Sequence, residues 1–449
     1  MKHIRSYFLG IVIFLMPACS IINETPVDSI AASTYFQNYK DVEAAVISTY
    51  SVLTGANSYG RLRILATELS SNNIEHRINQ FEFAHFSDHQ LIAENIVLFP
   101  IWSEIYKGIM RANDVIAAVP KLDPKNQELS KNFLGEAYFL RAFMYFDLVR
   151  MFGDVPLVST PSNNVDLNAV RVARTESQKI YAQIVADLQE AEKLLPESYA
   201  IKVQNRGRAT KMTAKAYLAK VFLYQKDYTN CLAKLDEVIN NTANYGLVSL
   251  DILYNTNDNL ETVFELFFSI DGISLQLLPS IAPYNGFGEY YVNTNLLKLF
   301  DSQDKRLAYM IQNNGNWFAA KARKAKTTTA DPVYCLRLAE LLLIRAEVLA
   351  RNSGTPTPKA IEALNLVRQR AGLEAKKMTD FANLDSFLET VLIEKRKEVM
   401  FETGDFWFDA IRAGYASKLL GVSNPNAYLY PIPNAEIVRN PNLTQNAGY

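Results

Sequence analysis

Three cysteines, three tryptophans and four histidines are all that 449 residues contain of these types. So few cysteines exclude a disulfide-stapled scaffold. Cys231 and Cys335 lie in apolar helical stretches and read as small buried hydrophobes; a bridge between them is left open, but a chain this long needs none. His85 and His89 stand four apart with Asp88 between them, a spacing that can hold zinc on a helix. No third ligand accompanies them, and Phe81-Glu82-Phe83 nearby suggests an extended chain, so no metal site and no cofactor are expected. Neither charge is in excess: Lys+Arg is 46, Asp+Glu is 47 and the net charge is -1. That removes the basic footprint of a nucleic-acid binder and fits a neutral ligand. Gly-x-Ser-x-Gly elbows, Walker loops and dinucleotide fingerprints are missing, and no carboxylate pair is singled out, so no catalytic residues are assigned and an enzyme is not expected. No apolar run reaches the ~20 residues that cross a bilayer.

The longest apolar run is short and sits at the start. Lys2, His3 and Arg5 precede Tyr7–Met16, and Met16-Pro17-Ala18-Cys19 follows. This pattern is a signal peptide over 1–18 ending in a lipobox-like site. Cys19 would then be acylated and become the first mature residue, with palmitate-type chains anchoring it because each buried methylene contributes about 0.8 kcal/mol. Residues 19–33 read as a polar tether.

From Thr34 to Tyr449 helical periodicity dominates, with apolar residues at three- and four-residue steps in 41–54, 99–119, 134–152, 175–195, 210–225, 228–239, 333–350, 358–371 and 386–402. Gly153 is a C-cap ahead of Pro156. Capping boxes are expected at Thr175–Gln178 and at Ser386 with Glu389, and Thr357 caps a helix that opens on Pro358. Ala214, Ala216, Ala219, Ala339, Ala346, Ala350, Ala360 and Ala363 fall where paired helices would cross. Hairpins of roughly 34 residues with small crossing residues indicate a mainly all-α, tetratricopeptide-like repeat core of about four helix pairs. Two stretches, near 55–93 and 243–326, do not read as helix and form an irregular, loop-rich subdomain. Within the second, Val263–Phe268 is strand-like.

Ordered strings along the chain resemble SusD/RagB lipoproteins: Glu136–Ala142, Tyr145–Arg150 and Phe152–Leu157, then Arg208–Lys211, Leu336–Glu340, Leu364–Gly372, Glu394–Glu402, Trp407–Arg412 and Tyr430–Pro433 with the closing Asn440–Tyr449. The resemblance implies a nutrient-binding lipoprotein of the outer membrane with a lid-like role on a SusC-type TonB-dependent transporter. It implies capture of oligosaccharides for polysaccharide utilization, or of peptides as in RagB-like members; a repeat scaffold without a ligand is the alternative from another class. Facing outward rests on the resemblance, since the tether carries only Glu24 and Asp28. Read as residues, Glu136 with Arg141, Asp147 with Arg150 and Asp409 with Arg412 are ion pairs or caps within helices.

Sugars need rings to stack on and planar polar groups for paired hydrogen bonds. Trp317, in the polar turn Gln312–Phe318, is the leading stacking candidate. Tyr284, Phe287, Tyr290 and Tyr291 come from a Gly-containing loop, and Tyr59, Asn72, Asn73, Phe81 and Phe83 from the other irregular stretch. Ser70-Ser71-Asn72-Asn73 stands where the family often carries a threonine–aspartate element. Trp102 and Trp407 fall on apolar helix faces and belong to the core.

Overall fold

The computed structural model describes residues 36–76, 81–122, 127–162, 171–201, 204–256, 258–267, 290–321 and 332–449. The signal peptide, Cys19 and the tether lie outside them, as do Tyr284 and Phe287.

Thirteen helices carry the argument: α1 Tyr39–Thr54, α2 Leu62–Ser70, α3 Phe81–Ser87, α4 Leu98–Ala118, α5 Gln127–Phe152, α6 Ser177–Leu194, α7 Lys211–Tyr224, α8 Tyr228–Ile239, α9 Leu250–Asn255, α10 Leu338–Ser353, α11 Pro358–Arg370, α12 Leu384–Val399 and α13 Phe406–Ala413. Four antiparallel pairs stack in order: α1/α4, α5/α6, α7/α8 and α10/α11. All eight alanines expected at crossings are buried, which lets the backbones approach. α12 packs on α10, and α13 returns to α2. Among the described residues, no helix is long and apolar enough to cross a membrane.

Local signals explain most helix ends. Asn38 and Asp41 close a capping box on α1, and Thr210 with Thr213 does so on α7. Thr357 caps α11 through Ala360 N–H at 3.1 Å, with Pro358 in the first turn. Gly153 ends α5 at φ +73, where a Cβ would meet Leu429 at 2.7 Å. Two expected caps are corrected. Thr175 lies in a strand instead, and Asp154 Oδ1 accepts the Ser177 N–H at 2.7 Å in its place. At α12 the cap is Asn383, with Ser386 as its partner three residues on.

The strands form two-stranded sheets: β1 Ile74–His76 with β5 Tyr290–Val292, β2 Val155–Pro156 with β3 Arg174–Thr175, β4 Thr262–Leu266 with β8 Val333–Arg337, and β6 Met310–Asn313 with β7 Asn316–Ala319, all antiparallel. The strand-like reading of 263–268 is met by β4 over Thr262–Leu266; Phe267 lies past the strand and residue 268 outside the described residues. The non-helical reading is overturned in both stretches, because α2 and α3 lie within 55–93 and α9 lies within 243–326. α2 hides its character by burying polar side chains: Arg63, Thr67, Glu68 and Ser70 are all inside.

Of these, Arg63 joins a buried ionic layer. Asp405 receives Arg63 at 3.0 Å, Arg150 at 2.9 Å and Lys220 at 2.9 Å. Asp147 receives Arg63 at 2.7 Å and Arg150 at 2.6 Å. A second group centres on Arg337, which pairs with Glu261 at 2.6 Å, Glu398 at 2.9 Å and Glu402 at 2.8 Å. The strings that resemble the family are therefore largely the ion-pair skeleton of the fold. The intrahelical readings hold for Asp147–Arg150 and for Asp409–Arg412, the latter at 3.0 Å. They fail for Glu136 and Arg141. Glu136 pairs with Arg208 at 2.6 Å and Arg141 with Asp187 at 2.7 Å, so each ties two different parts of the repeat together.

Candidate functional face

The two irregular stretches meet. β1, from the first, pairs with β5, from the second, with Glu75 opposite Tyr291 and His76 opposite Tyr290. α3 packs beside β1, and the β6–β7 hairpin packs beside β5. The result is one face made from β1, α3, β5 and the β6–β7 hairpin, with β1 and β5 more than two hundred positions apart in the chain.

The hairpin follows from its sequence. Asn314 has φ +50 and Gly315 φ +81, the left-handed pair that a two-residue hairpin turn demands and that Asn-Gly supplies. Gln312, Asn313, Asn314 and Asn316 are all exposed around it. Trp317 pairs with Gln312 across the strands and is half-buried. Its neighbour Phe318 is buried and meets the Tyr291 ring edge-on at 5.2 Å. Side chains alternate along a strand, so Trp317 takes the opposite face from that contact. Exposed amides beside a half-buried indole can donate to and accept from hydroxyls while the ring stacks on a C–H face.

Of the other candidates, Tyr291 is half-buried and Phe81, at 74% exposure, is the most open aromatic of α3. Asn72 is partly exposed at φ +52, and its amide donates to Leu420 O at 3.3 Å. Tyr290 is corrected to a core residue: it is fully buried, edge-on to Phe83 at 5.7 Å. Phe83 and Asn73 are buried too. Tyr59 is also corrected. It is 2% exposed and donates to Asp147 Oδ2 at 2.7 Å, beneath the Arg63 guanidinium. Burial, together with Asp147 and against the opposing pull of Arg63, holds its phenol well above the usual range. Tyr59→Phe therefore leaves ligand affinity unchanged while lowering stability by about 1–3 kcal/mol, because Asp147 loses a buried donor; paired binding and denaturant titrations check both halves.

Trp102 and Trp407 are core residues as expected. Phe81-Glu82-Phe83 is helical rather than extended. His89 lies past α3 at φ +54, stacked on Trp407 at 5.3 Å and bonded through Nε2 to Ser70 O at 2.9 Å. Burial pushes its pKa down. His85 is held instead by Asn95 at 3.2 Å. The sequence reading missed Arg396, whose guanidinium grips the turn before β1; only the Glu394–Glu402 string pointed to it. A polar groove of about 640 Å³ lies elsewhere, lined by Glu192, Lys193, Glu197, Lys211 and Lys215. Its Lys211 and Lys215 are paired with Glu197 and Glu237.

Comparison with known proteins agrees with this architecture. Residues 28–223 match the family described as "Starch-binding associating with outer membrane", and residues 249–427 and 415–449 match the SusD family. The chain belongs to the SusD/RagB family. Over its full length it is 26% identical to the whole of SusD-like protein P2 from Formosa agariphila. A SusD-like protein from Bacteroides ovatus is 24% identical over 88% of this chain and 80% of its own. Among solved structures, a SusD superfamily protein from Parabacteroides distasonis superposes with TM-score 0.79 at 24% identity, covering 91% of this chain and 99% of its own. A laminarin-binding SusD-like protein gives TM-score 0.78 at 24% identity, covering 92% of this chain and all of its own. The mainly helical repeat fold of this SusD-like chain is thus the fold of that superfamily, and the family is a carbohydrate-binding one associated with the outer membrane.

Proposed function

We propose that this SusD-like protein captures oligosaccharides at the cell surface and passes them to a SusC-type TonB-dependent transporter, held to the outer membrane by acyl chains on Cys19. The 1–18 segment is its signal peptide and 19–33 its tether. One observation carries the reading: segments from both irregular stretches pair through β1 and β5, and the β6–β7 hairpin packed beside them sets exposed amides around Trp317. Rigid repeats that present long loops usually do so for binding. A near-neutral chain suits an uncharged ligand. The protein binds and does not turn its ligand over.

A screen of residues 20–449 against glycan and peptide libraries tests this. Binding of an oligosaccharide without product is expected. Binding confined to peptides would replace the ligand class, and silence in both libraries would favour a scaffold. A new product appearing with time would overturn the binding reading.

A further inference from the structure

The turn that carries Asn72 into β1 is held from beneath by a buried relay. Arg396, on α12, donates through Nε to Asn73 Oδ1 at 2.8 Å, and through Nη2 to Ser71 O at 2.8 Å and Asn72 O at 2.9 Å. On its other side the Asn73 amide donates to Glu68 Oε2 at 2.8 Å. Asn73 thus separates a carboxyl group from a guanidinium, both of them inside. The Asn73 carbonyl accepts from Asn293 N–H at 3.0 Å, which extends the β1–β5 ladder. Among the described residues Glu68 Oε1 makes no well-formed hydrogen bond, the Phe401 N–H being the one backbone donor that acts on the carboxyl; that is a costly state for an ionised oxygen away from water and a tolerable one for a neutral acid.

We propose that Glu68, Asn73 and Arg396 form a proton-sensitive latch on the β1–β5 face, closed most firmly when Glu68 is neutral. The latch rests on the reading of that face as the ligand site only for its purpose, not for its operation.

The charges around Glu68 set the sense. Burial pushes its pKa up to about 7; the Asn73 amide, Lys321 and the Phe401 N–H act against that, and Glu402 adds to it. Burial pushes Arg396 down to about 10, with Glu68 the one charge that supports it. A carboxyl whose folded pKa is raised stabilises the closed form below its ordinary value. That contribution is lost as the pH rises through the folded value. The latch is therefore tight in acid and loosens toward neutrality, and the ladder opens more readily at pH 7 than at pH 5.

Hydrogen exchange on the full mature chain, without ligand, reads this directly. After correction for intrinsic rates, opening at the β1–β5 amides, Asn293 included, should rise roughly forty-fold from pH 5 to 7 and level off about one pH unit higher. In Glu68→Gln the rise should vanish. Flat protection in the wild type, or an unchanged rise in Glu68→Gln, overturns the latch. Carboxyl-carbon NMR of the wild type gives a second test that needs no variant: a Glu68 midpoint near neutrality is expected, and one in the ordinary carboxylate range overturns the proposal. Neither experiment uses a ligand, so a failed glycan screen and a failed latch are separate results.

Discussion

Asp405→Ala lowers the stability of this chain by about 3–5 kcal/mol, the cost of removing one partner from a buried ionic network. Asp405 is inside, and three cations converge on it from three helices: Arg63 on α2, Arg150 on α5 and Lys220 on α7. Arg63 and Arg150 also share Asp147, but Lys220 is left with Glu340 at 2.9 Å. Removing the carboxylate leaves three buried positive charges with two acids between them. The loss reaches beyond the local contact, because α2 is the helix that leads into the turn before β1. A denaturant titration should show a large fall in midpoint. Lys418→Ala, which removes an exposed pair with Glu389, should leave the midpoint in place. Equal, small effects from both would contradict a load shared by the buried layer.

Acid should unfold the chain cooperatively below about pH 4, because most of its buried carboxylates are held ionised by cations. Burial raises the pKa of Glu347, but Arg412 and Arg351 outweigh it and bring the group down to about 2. Burial is likewise overcome by Arg370 and Arg337 at Glu398, and by Arg150 and Lys220 at Asp405, both held well below the usual range. A depressed carboxylate contributes stability above its unfolded pKa and loses it as pH falls through the folded one. For Glu347 alone the contribution is on the order of 3 kcal/mol. Glu68 and Glu136 run the other way, since burial raises both; their contribution grows as pH falls, but the depressed group is larger and more strongly shifted. Circular dichroism from pH 7 to 2 should show a flat plateau and then a steep loss of helix. Full helicity with tight packing at pH 2 would contradict the account.

The repeat was legible because its helices bury one stripe at a 3.6-residue period and cross at alanine. α2 was not, since its inward side chains are Arg63, Thr67 and Glu68, and a polarity pattern cannot show that Arg63 finds the Thr403 carbonyl 340 positions away. The same reason misplaced Glu136 and Arg141: the i+5 neighbour looked like a partner, yet the real ones lie on other elements. At the face, Asn314-Gly315 announced a turn, and Trp317 stands beside it. Which tyrosine of the pair Tyr290-Tyr291 turns inward depends on the β1–β5 register, which local sequence does not encode. Tyr59 looked like a loop aromatic because its acid partner, Asp147, sits on a distant helix.

The measurement that bears most directly on the central claim is a calorimetric titration of the oligosaccharide selected by the screen into residues 20–449 and into Trp317→Ala. Loss of the stacking ring should weaken binding by roughly 1–3 kcal/mol, about five- to 150-fold, while the denaturant midpoint stays within reach of the wild type. Undiminished affinity in Trp317→Ala would contradict the placement of the site on the β1–β5 and β6–β7 face.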